Sequence, residues 1–287
     1  MTQDNFKCGL AVMVGRTNSG KSTLLNALVG SKVSIVTDRP QTTRDTIHGV
    51  VNHQNGQIVF VDTPGFYKTS PSKLVDKLHK KAKDTLVDVD VIVHVVDPTR
   101  APGEEDSMVE NIIKNVNTPK ILCLNKLDLP NRPYKDYWLE KQNQYATTVE
   151  VSGLKCLNLD ALINAIISFL PIQPPLYTDQ LTNATKEFII SEIIREKVYM
   201  LTSDEVPYRT EVELDSIEER STKDGKPLLH IKAAILTPNE HYQRMLIGAG
   251  AKKIKEIGTA ARKELELNLG KKVFLDIDVI VDKNILK

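Results

Sequence analysis

Up to about residue 170 the chain alternates short apolar runs with stretches whose apolar residues recur every three or four positions. The runs Leu10–Val14, Ile58–Val61, Val91–Val96, Ile121–Leu124 and Val149–Val151 are rich in Val, Ile and Leu. That is the composition of strands covered on both faces. The intervening stretches 21–29, 71–87, 104–115 and 158–169 have helical spacing. His48–Asn52 and Ile58–Val61, joined through Asn55-Gly56, read as a hairpin. Strands alternating with helices predict a doubly wound α/β domain over 1–170. Its sheet is mostly parallel, and its ligand lies at the carboxyl ends of the strands.

Three prolines within Pro171–Pro175 then break the pattern. They predict a semi-rigid interdomain linker over 171–181. Behind it the order changes. A helix over 184–201 carries Phe188, Ile189, Ile193, Ile194 and Val198. Strands Thr210–Glu218 and Leu228–Leu236 flank a turn at Lys223-Asp224-Gly225-Lys226, two helices flank Gly248–Ala251, and an alternating strand covers Val273–Val281. The order α-β-β-α-α-β predicts a second, smaller α+β domain over 182–287.

The chain has 287 residues, is 41% hydrophobic and carries a net charge of +1. It can therefore bury real cores and is not a uniformly basic nucleic-acid coat. Any nucleic-acid contact must come from a local patch. Cys8, Cys123 and Cys156 are widely spaced, as reduced thiols are, and form neither a disulfide frame nor a zinc site. The six histidines show no metal-ligand spacing. No apolar run approaches the roughly 18 residues of a membrane helix, and MTQDNFK lacks the layout of a signal peptide. A cytoplasmic location is expected.

Directly after the first apolar run, Gly15, Arg16, Thr17, Asn18, Ser19, Gly20, Lys21 and Ser22 spell G-x-x-x-x-G-K-S. Two glycines let the backbone curl so that successive N–H groups converge on phosphate oxygens. The helix opening with Lys21, Ser22 and Thr23 offers its positive end. Lys21 supplies charge for the β- and γ-phosphates, and the Ser22 hydroxyl can ligate Mg²⁺.

Three further motifs select guanine. In Asp62-Thr63-Pro64-Gly65, Asp62 can hold Mg²⁺ through water and the Gly65 N–H can sense the γ-phosphate. In Asn125-Lys126-Leu127-Asp128, the Asp128 carboxylate accepts both N1–H and the exocyclic amine of guanine. Adenine offers no such pair and leaves the carboxylate unpaired. Ser152-Gly153-Leu154-Lys155 follows the last strand, where a backbone N–H can reach guanine O6. Between the G-x-x-x-x-G-K-S loop and Asp62 lies Pro40-Gln41-Thr42-Thr43-Arg44. Thr42 and Thr43 are both candidates to cap Mg²⁺ when the γ-phosphate is present, Thr43 being preferred. The expected ligands are GTP or GDP with Mg²⁺. Ser22, Thr43 and Asp62 serve the metal, and Lys21, Thr43 and Gly65 serve the chemistry.

The strings GRTNSGKSTLLNALVG, PQTTRDTIHGV, DTPGF and NKLD resemble the Era family of ribosome-assembly GTPases. REKVY, EVPY, KIKEIGTAARKELE and KVFLDIDV extend the resemblance over nearly the whole chain. It implies that the second domain is a type II KH domain, which clamps single-stranded RNA with a GXXG loop. Here that loop is Gly248-Ala249-Gly250-Ala251, with Ala in the fourth place and no lysine inside. Charge comes just after it, from Lys252, Lys253 and Lys255, then Arg262, Lys263, Lys271 and Lys272. Ile231, Ile247, Ile254 and Ile257 are candidates for a base-holding groove, although isoleucines at such spacing also build cores. The sequence departs from the family in a second way: Ile285-Leu286-Lys287 is not followed by the tryptophan-containing tail that family members often carry, so the resemblance does not extend to a tail contact with RNA. The resemblance further implies the small ribosomal subunit and the 3′ end of its 16S RNA as partners, and peripheral association with the inner membrane. A monomer is the default.

Phe66 stands directly after the DxxG motif, where Ras-like enzymes place a water-orienting glutamine. Slow hydrolysis is expected. Asn18 is similar to the asparagine that coordinates a monovalent cation in some related GTPases, which makes K⁺ a second cation candidate. Two rival readings exist. A tRNA-modification GTPase needs a further catalytic constellation, which the second domain lacks. A membrane or cell-division scaffold would use helix 184–201, but its polar face mixes Glu187, Glu192 and Glu196 with Lys186, Arg195 and Lys197, which does not favour anionic lipid.

Overall fold

Six strands form the first sheet: β1 (Lys7–Val14), β2 (Ile47–His53), β3 (Gly56–Asp62), β4 (Val91–Val96), β5 (Lys120–Leu124) and β6 (Thr147–Glu150). The computed structural model describes residues 5–30, 47–62, 89–177, 185–202, 205–221, 225, 227–283 and 285, with the backbone alone at Ile47, His48 and Asp62. The helix expected at 71–87, Pro40–Arg44, Thr63–Phe66, residues 178–181 of the expected linker and most of the turn at Lys223–Lys226 lie outside these residues.

The strand order is β2-β3-β1-β4-β5-β6, with every pairing parallel except that of β2 with β3. β1 sits between β3 and β4, so the chain leaves it in both directions. That places a topological switch point at the carboxyl ends of β1 and β4. β4 is buried along its whole length, as its unbroken apolar run predicts. Helix α1 (Lys21–Val29) follows β1, and α2 (Glu104–Lys114) follows β4. Val109 and Ile113 of α2 pack on Val12, Val14 and Ile92. The short α3 (Lys135–Glu140) was not legible as a helix, because six residues carry too little periodicity. Trp138, only 1% exposed, anchors it on Val96, Leu122 and Leu124. α4 (Leu159–Phe169) closes this part of the fold.

The proline-rich segment that follows is fixed along the start of β1. Pro171 O accepts from Cys8 N at 3.0 Å, and Gln173 N donates to Phe6 O at 3.1 Å. The chain divides into two compact units between Ala184 and Thr185.

The second unit runs α5 (Lys186–Leu201), β7 (Glu211–Ser221), β8 (Pro227–Thr237), α6 (Glu240–Ile247), α7 (Lys252–Leu269) and β9 (Lys272–Val281). β8 is central, antiparallel to β7 and parallel to β9. Thr185 caps α5 by accepting from Phe188 N, and the Asn239 side chain caps α6 by accepting from His241 N and Tyr242 N. Alternate residues Leu229, Ile231, Ala233 and Ile235 of β8 meet Ile193, Ile194 and Val198 of α5 and Ile257, Ala261 and Leu265 of α7.

Two alternatives left by the sequence are decided here. Ile231 and Ile257 are fully buried core residues and do not line a groove, and Ile254 packs partly buried against the same core. Nor are the charged residues of α5 all solvated: Lys186 and Glu187 are exposed, but three others are not. Arg195, Glu196 and Lys197 are buried, with Lys197 Nζ 2.8 Å from Glu196 Oε1 and also paired with Glu264 of α7. Charge pairing across two helices makes this burial possible. Among the described residues no helix is long and apolar enough to cross a membrane.

Candidate functional site

The G-x-x-x-x-G-K-S loop joins β1 to α1 at the switch point. A side chain at Gly15 would place its Cβ 2.2 Å from Val95 O, and one at Gly20 would place it 2.2 Å from Asn125 Nδ2. Both glycines are therefore dictated by close approach as well as by the curl of the loop. Asn18 occupies the left-handed region at φ 61°, which asparagine tolerates better than most residues. Lys21 Nζ donates to Gly15 O at 2.9 Å and to Arg16 O at 2.7 Å. Its charge is thus held over the mouth of the loop. Ser22 and Thr23 stand in the first turn of α1, at its positive end.

The guanine motifs lie at the ends of β5 and β6 and are tied to this loop by one residue. Asn125 Nδ2 donates to Ser19 O at 3.0 Å, and Asn125 Oδ1 accepts from Gly153 N at 3.1 Å. Asn125 is 3% exposed, so both bonds are shielded from water. Asp128 Oδ1 accepts from Ser152 Oγ at 2.5 Å, and Ser152 Oγ accepts from Lys155 N. The carboxylate expected to read guanine is therefore oriented by the serine of the neighbouring motif. Gly153 lies against α1, where a Cβ would come 2.8 Å from Leu24 Cα. Leu154 is 71% exposed at the rim.

The sequence reading missed three supporting carboxylates. Asp97, directly after β4, bonds Lys126 Nζ at 2.5 Å and accepts from Thr99 N and Thr99 Oγ1. Burial works against its charge, yet the Lys126 and Thr99 bonds hold its carboxyl below the usual range. Glu105 and Asp106 open α2. Glu105 Oε2 accepts from Thr17 N at 3.0 Å and Thr17 Oγ1 at 2.8 Å, and Asp106 Oδ2 accepts from Arg16 Nη1 at 3.0 Å. Arg16, 7% exposed, also donates to Ala101 O. Thus Arg16 and Thr17 brace the outer side of the loop against α2. The signal available was positional: Asp97 follows a strand end, and G-E-E-D is an acidic helix start.

The backbone of Asp62 ends β3, paired with Ile47. A serine hydroxyl and an aspartate carboxylate are hard oxygen donors of the kind that suits Mg²⁺. Thr42, Thr43, Thr63, Pro64 and Gly65 lie outside the described residues.

In the second unit the loop Gly248–Ala251 links α6 to α7, as the sequence placed it. Gly248 has φ 68° and would bring a Cβ within 2.8 Å of Lys253 Cβ, whereas Gly250, at φ 58°, faces open space. Ala249 completes the single turn between them. Ala251 itself lies at φ 59°. Lys252 and Lys255 are exposed at the start of α7, while Lys253 pairs with Glu256 and Arg262 with Glu266.

Comparison with known proteins gives a family for each unit. Residues 10–126 match a family model described as 50S ribosome-binding GTPase, and residues 205–286 match one described as KH domain. GTPase Era of Halothermothrix orenii is 39% identical over 286 residues, 98% of this chain and 95% of its own length. Among solved structures, an Era variant of Aquifex aeolicus bound to GDP·AlF4⁻ matches with TM-score 0.85 and 37% identity, covering 97% of this chain and 95% of that one. An Era structure with MgGDPNP and nucleotides 1506–1542 of 16S ribosomal RNA matches with the same TM-score, identity and coverage.

Proposed function

Since the chain belongs to the Era family of GTPases, we propose that it is a slow GTP-driven switch that grips the 3′ end of small-subunit ribosomal RNA during maturation of the small ribosomal subunit. Its enzymatic reaction is hydrolysis of GTP to GDP and phosphate. One observation carries the nucleotide part: Asn125 joins the phosphate loop at Ser19 to the guanine loop at Gly153. Phosphate and base are thereby read by one braced frame at the strand ends. GTP and ATP affinities measured side by side test this, and equal affinities would refute the assignment of Asp128.

Within that frame Lys21 and the loop amides hold the β- and γ-phosphates and offset charge as the γ-phosphoryl group leaves. Ser22, Thr43 and Asp62 would hold Mg²⁺, which would supply further charge neutralisation. Phe66 offers water no side-chain hydrogen bond, so the attacking water is placed by backbone groups or after a conformational change. Asn18, at φ 61°, marks the loop position expected to hold K⁺ near the α- and γ-phosphates. Turnover in KCl against NaCl checks this, and equal rates would remove K⁺ from the reading.

The functional division proposed is a switch over 1–170, a linker over 171–181 and an RNA-binding KH domain over 182–287. In the last, Gly248–Ala251 approaches the RNA backbone while Lys252, Lys253, Lys255 and Arg262 neutralise phosphates. The working unit proposed is a cytoplasmic monomer. α5 gives no support to membrane association, because Arg195, Glu196 and Lys197 of its polar face are buried and its exposed charges, Lys186 and Glu187, are of opposite sign. Gly248→Asp adds a clash with Lys253 and a negative charge at the loop. Filter binding of the 16S segment should drop sharply, and unchanged affinity would remove the loop from the RNA site.

A further inference from the structure

The end of the proline-rich segment is held by one buried side chain. Gln57 of β3 is 1% exposed. Its Oε1 accepts from Leu176 N at 2.8 Å, from Tyr177 N at 3.0 Å and from the Cys8 thiol at 3.5 Å. Its Nε2 donates to Tyr177 O at 2.7 Å and to Asn52 Oδ1 at 2.8 Å. Both donors and both lone-pair directions of the amide are occupied. Burial makes losing any one of these bonds costly, so the set holds or releases together.

The position of Gln57 gives this clamp its meaning. β2 begins at Ile47, directly after the segment that carries Thr42 and Thr43, and β3 ends at Asp62, the first residue of Asp62-Thr63-Pro64-Gly65. The two strands form one antiparallel hairpin in which Asn52 faces Gln57. The nucleotide-sensing segments therefore attach at one end of the hairpin, and the linker is bonded near the other. The other anchors of the linker differ: Pro171 and Gln173 bond the start of β1. Only residues 178–184 then separate Tyr177 from Thr185, the cap of α5.

We propose that Gln57 couples the two units: it fixes Leu176 and Tyr177 to the β2–β3 hairpin, so that nucleotide-dependent rearrangement of the flanking segments is passed into the linker of the RNA-binding unit. The proposal rests on the switch reading above. Gln57 lies outside the nucleotide motifs and is a positioning residue.

Two variants attack the clamp from its two sides. Gln57→Leu removes every bond while keeping an apolar side chain in the site. Leu176→Pro deletes one amide donor and leaves Gln57 and the core intact. For both variants and the wild type, affinity for RNA of the 1506–1542 segment is measured with GDP and with a non-hydrolysable GTP analogue. Affinity for each nucleotide and amide exchange of the peptide containing Tyr177 are measured alongside. In the wild type, Tyr177 exchange should differ between the two nucleotide states. In both variants the ratio of RNA affinities should fall by about fivefold or more, while nucleotide affinities stay within about twofold of wild type. A ratio equal to wild type in the folded variants would overturn the coupling and leave the switch reading intact. A wild-type ratio of one would overturn the switch reading, and Tyr177 exchange that still differs between nucleotide states would support the clamp by itself. Identical exchange in both states would overturn the clamp.

Discussion

At the scale of single residues, the structure explains why a few positions carry the chemistry and why one departs from its expected type. Ala251 takes the fourth place of the RNA loop at φ 59°. A Cβ in the left-handed region costs about 1–2 kcal/mol, while glycine there adds about 0.5–1 kcal/mol of chain entropy to lose on folding. Ala251→Gly should therefore stabilise the KH unit by about 0.5–1 kcal/mol net, read as a higher midpoint in urea. A lower midpoint would show that the Ala251 methyl packs favourably enough to outweigh its backbone strain. Asn125 presents the opposite case, a residue whose identity is fixed twice over. Asn125→Ala loses two buried hydrogen bonds at about 1 kcal/mol each, so GTP affinity should fall roughly 30-fold. The sequence located this asparagine but not its reach to Ser19 and Gly153, because that reach joins residues distant in sequence. The same holds for Asp97 and Glu105, whose partners Lys126 and Thr17 are adjacent only in the fold.

At the scale of elements, long periodic stretches were legible and short or two-sided ones were not. β4 and α4 follow directly from their apolar patterns, whereas α3 depends on one tertiary contact through Trp138. α5 misleads for a different reason. Its charged residues look solvated, but α7 supplies Glu264 to complete a buried cluster with Glu196 and Lys197. Lys197→Met leaves two carboxylates without their cation and should destabilise the KH unit by about 3–5 kcal/mol. Lys197→Arg, which keeps the charge, should recover part of that loss in the same denaturation assay. β4 carries a second buried polar group, His94. Its Nδ1 lies 2.8 Å from Tyr145 Oη, and burial, reinforced by Lys21 and Lys141, lowers its pKa to about 3. The folded ring stays neutral while the unfolded chain takes up a proton below its ordinary value of about 6.5. The unfolded state then binds more protons, so stability falls as pH drops. The loss is about 1.4 kcal/mol per pH unit between roughly 6.5 and the folded value. Urea midpoints of the GTPase unit at pH 7 and pH 5 should show this slope. His94→Phe should flatten it, and an unchanged slope would assign the acid sensitivity to other groups.

At the scale of the whole molecule, a net charge of +1 means that no general positive field draws RNA to this chain. The proposed attraction comes from a local patch on α7, where Lys252 and Lys255 are exposed and where Lys253 and Arg262 hold only partly exposed intrahelical pairs. Such pairs are worth little and can be exchanged for phosphate. Four cations on a single strand predict a slope of about −3 for log affinity against log salt concentration. Replacing Lys252 and Lys255 by alanine together should reduce that slope by about 1.4. The nucleotide should behave differently from these lysines. A route through Gln57 changes how the KH unit is presented and adds no cation to the RNA site. Affinity should therefore change between GDP and the GTP analogue while the slope stays the same in both. A steeper slope with the GTP analogue would mean that the nucleotide recruits additional basic residues, and the coupling would then act through charge and not through the linker.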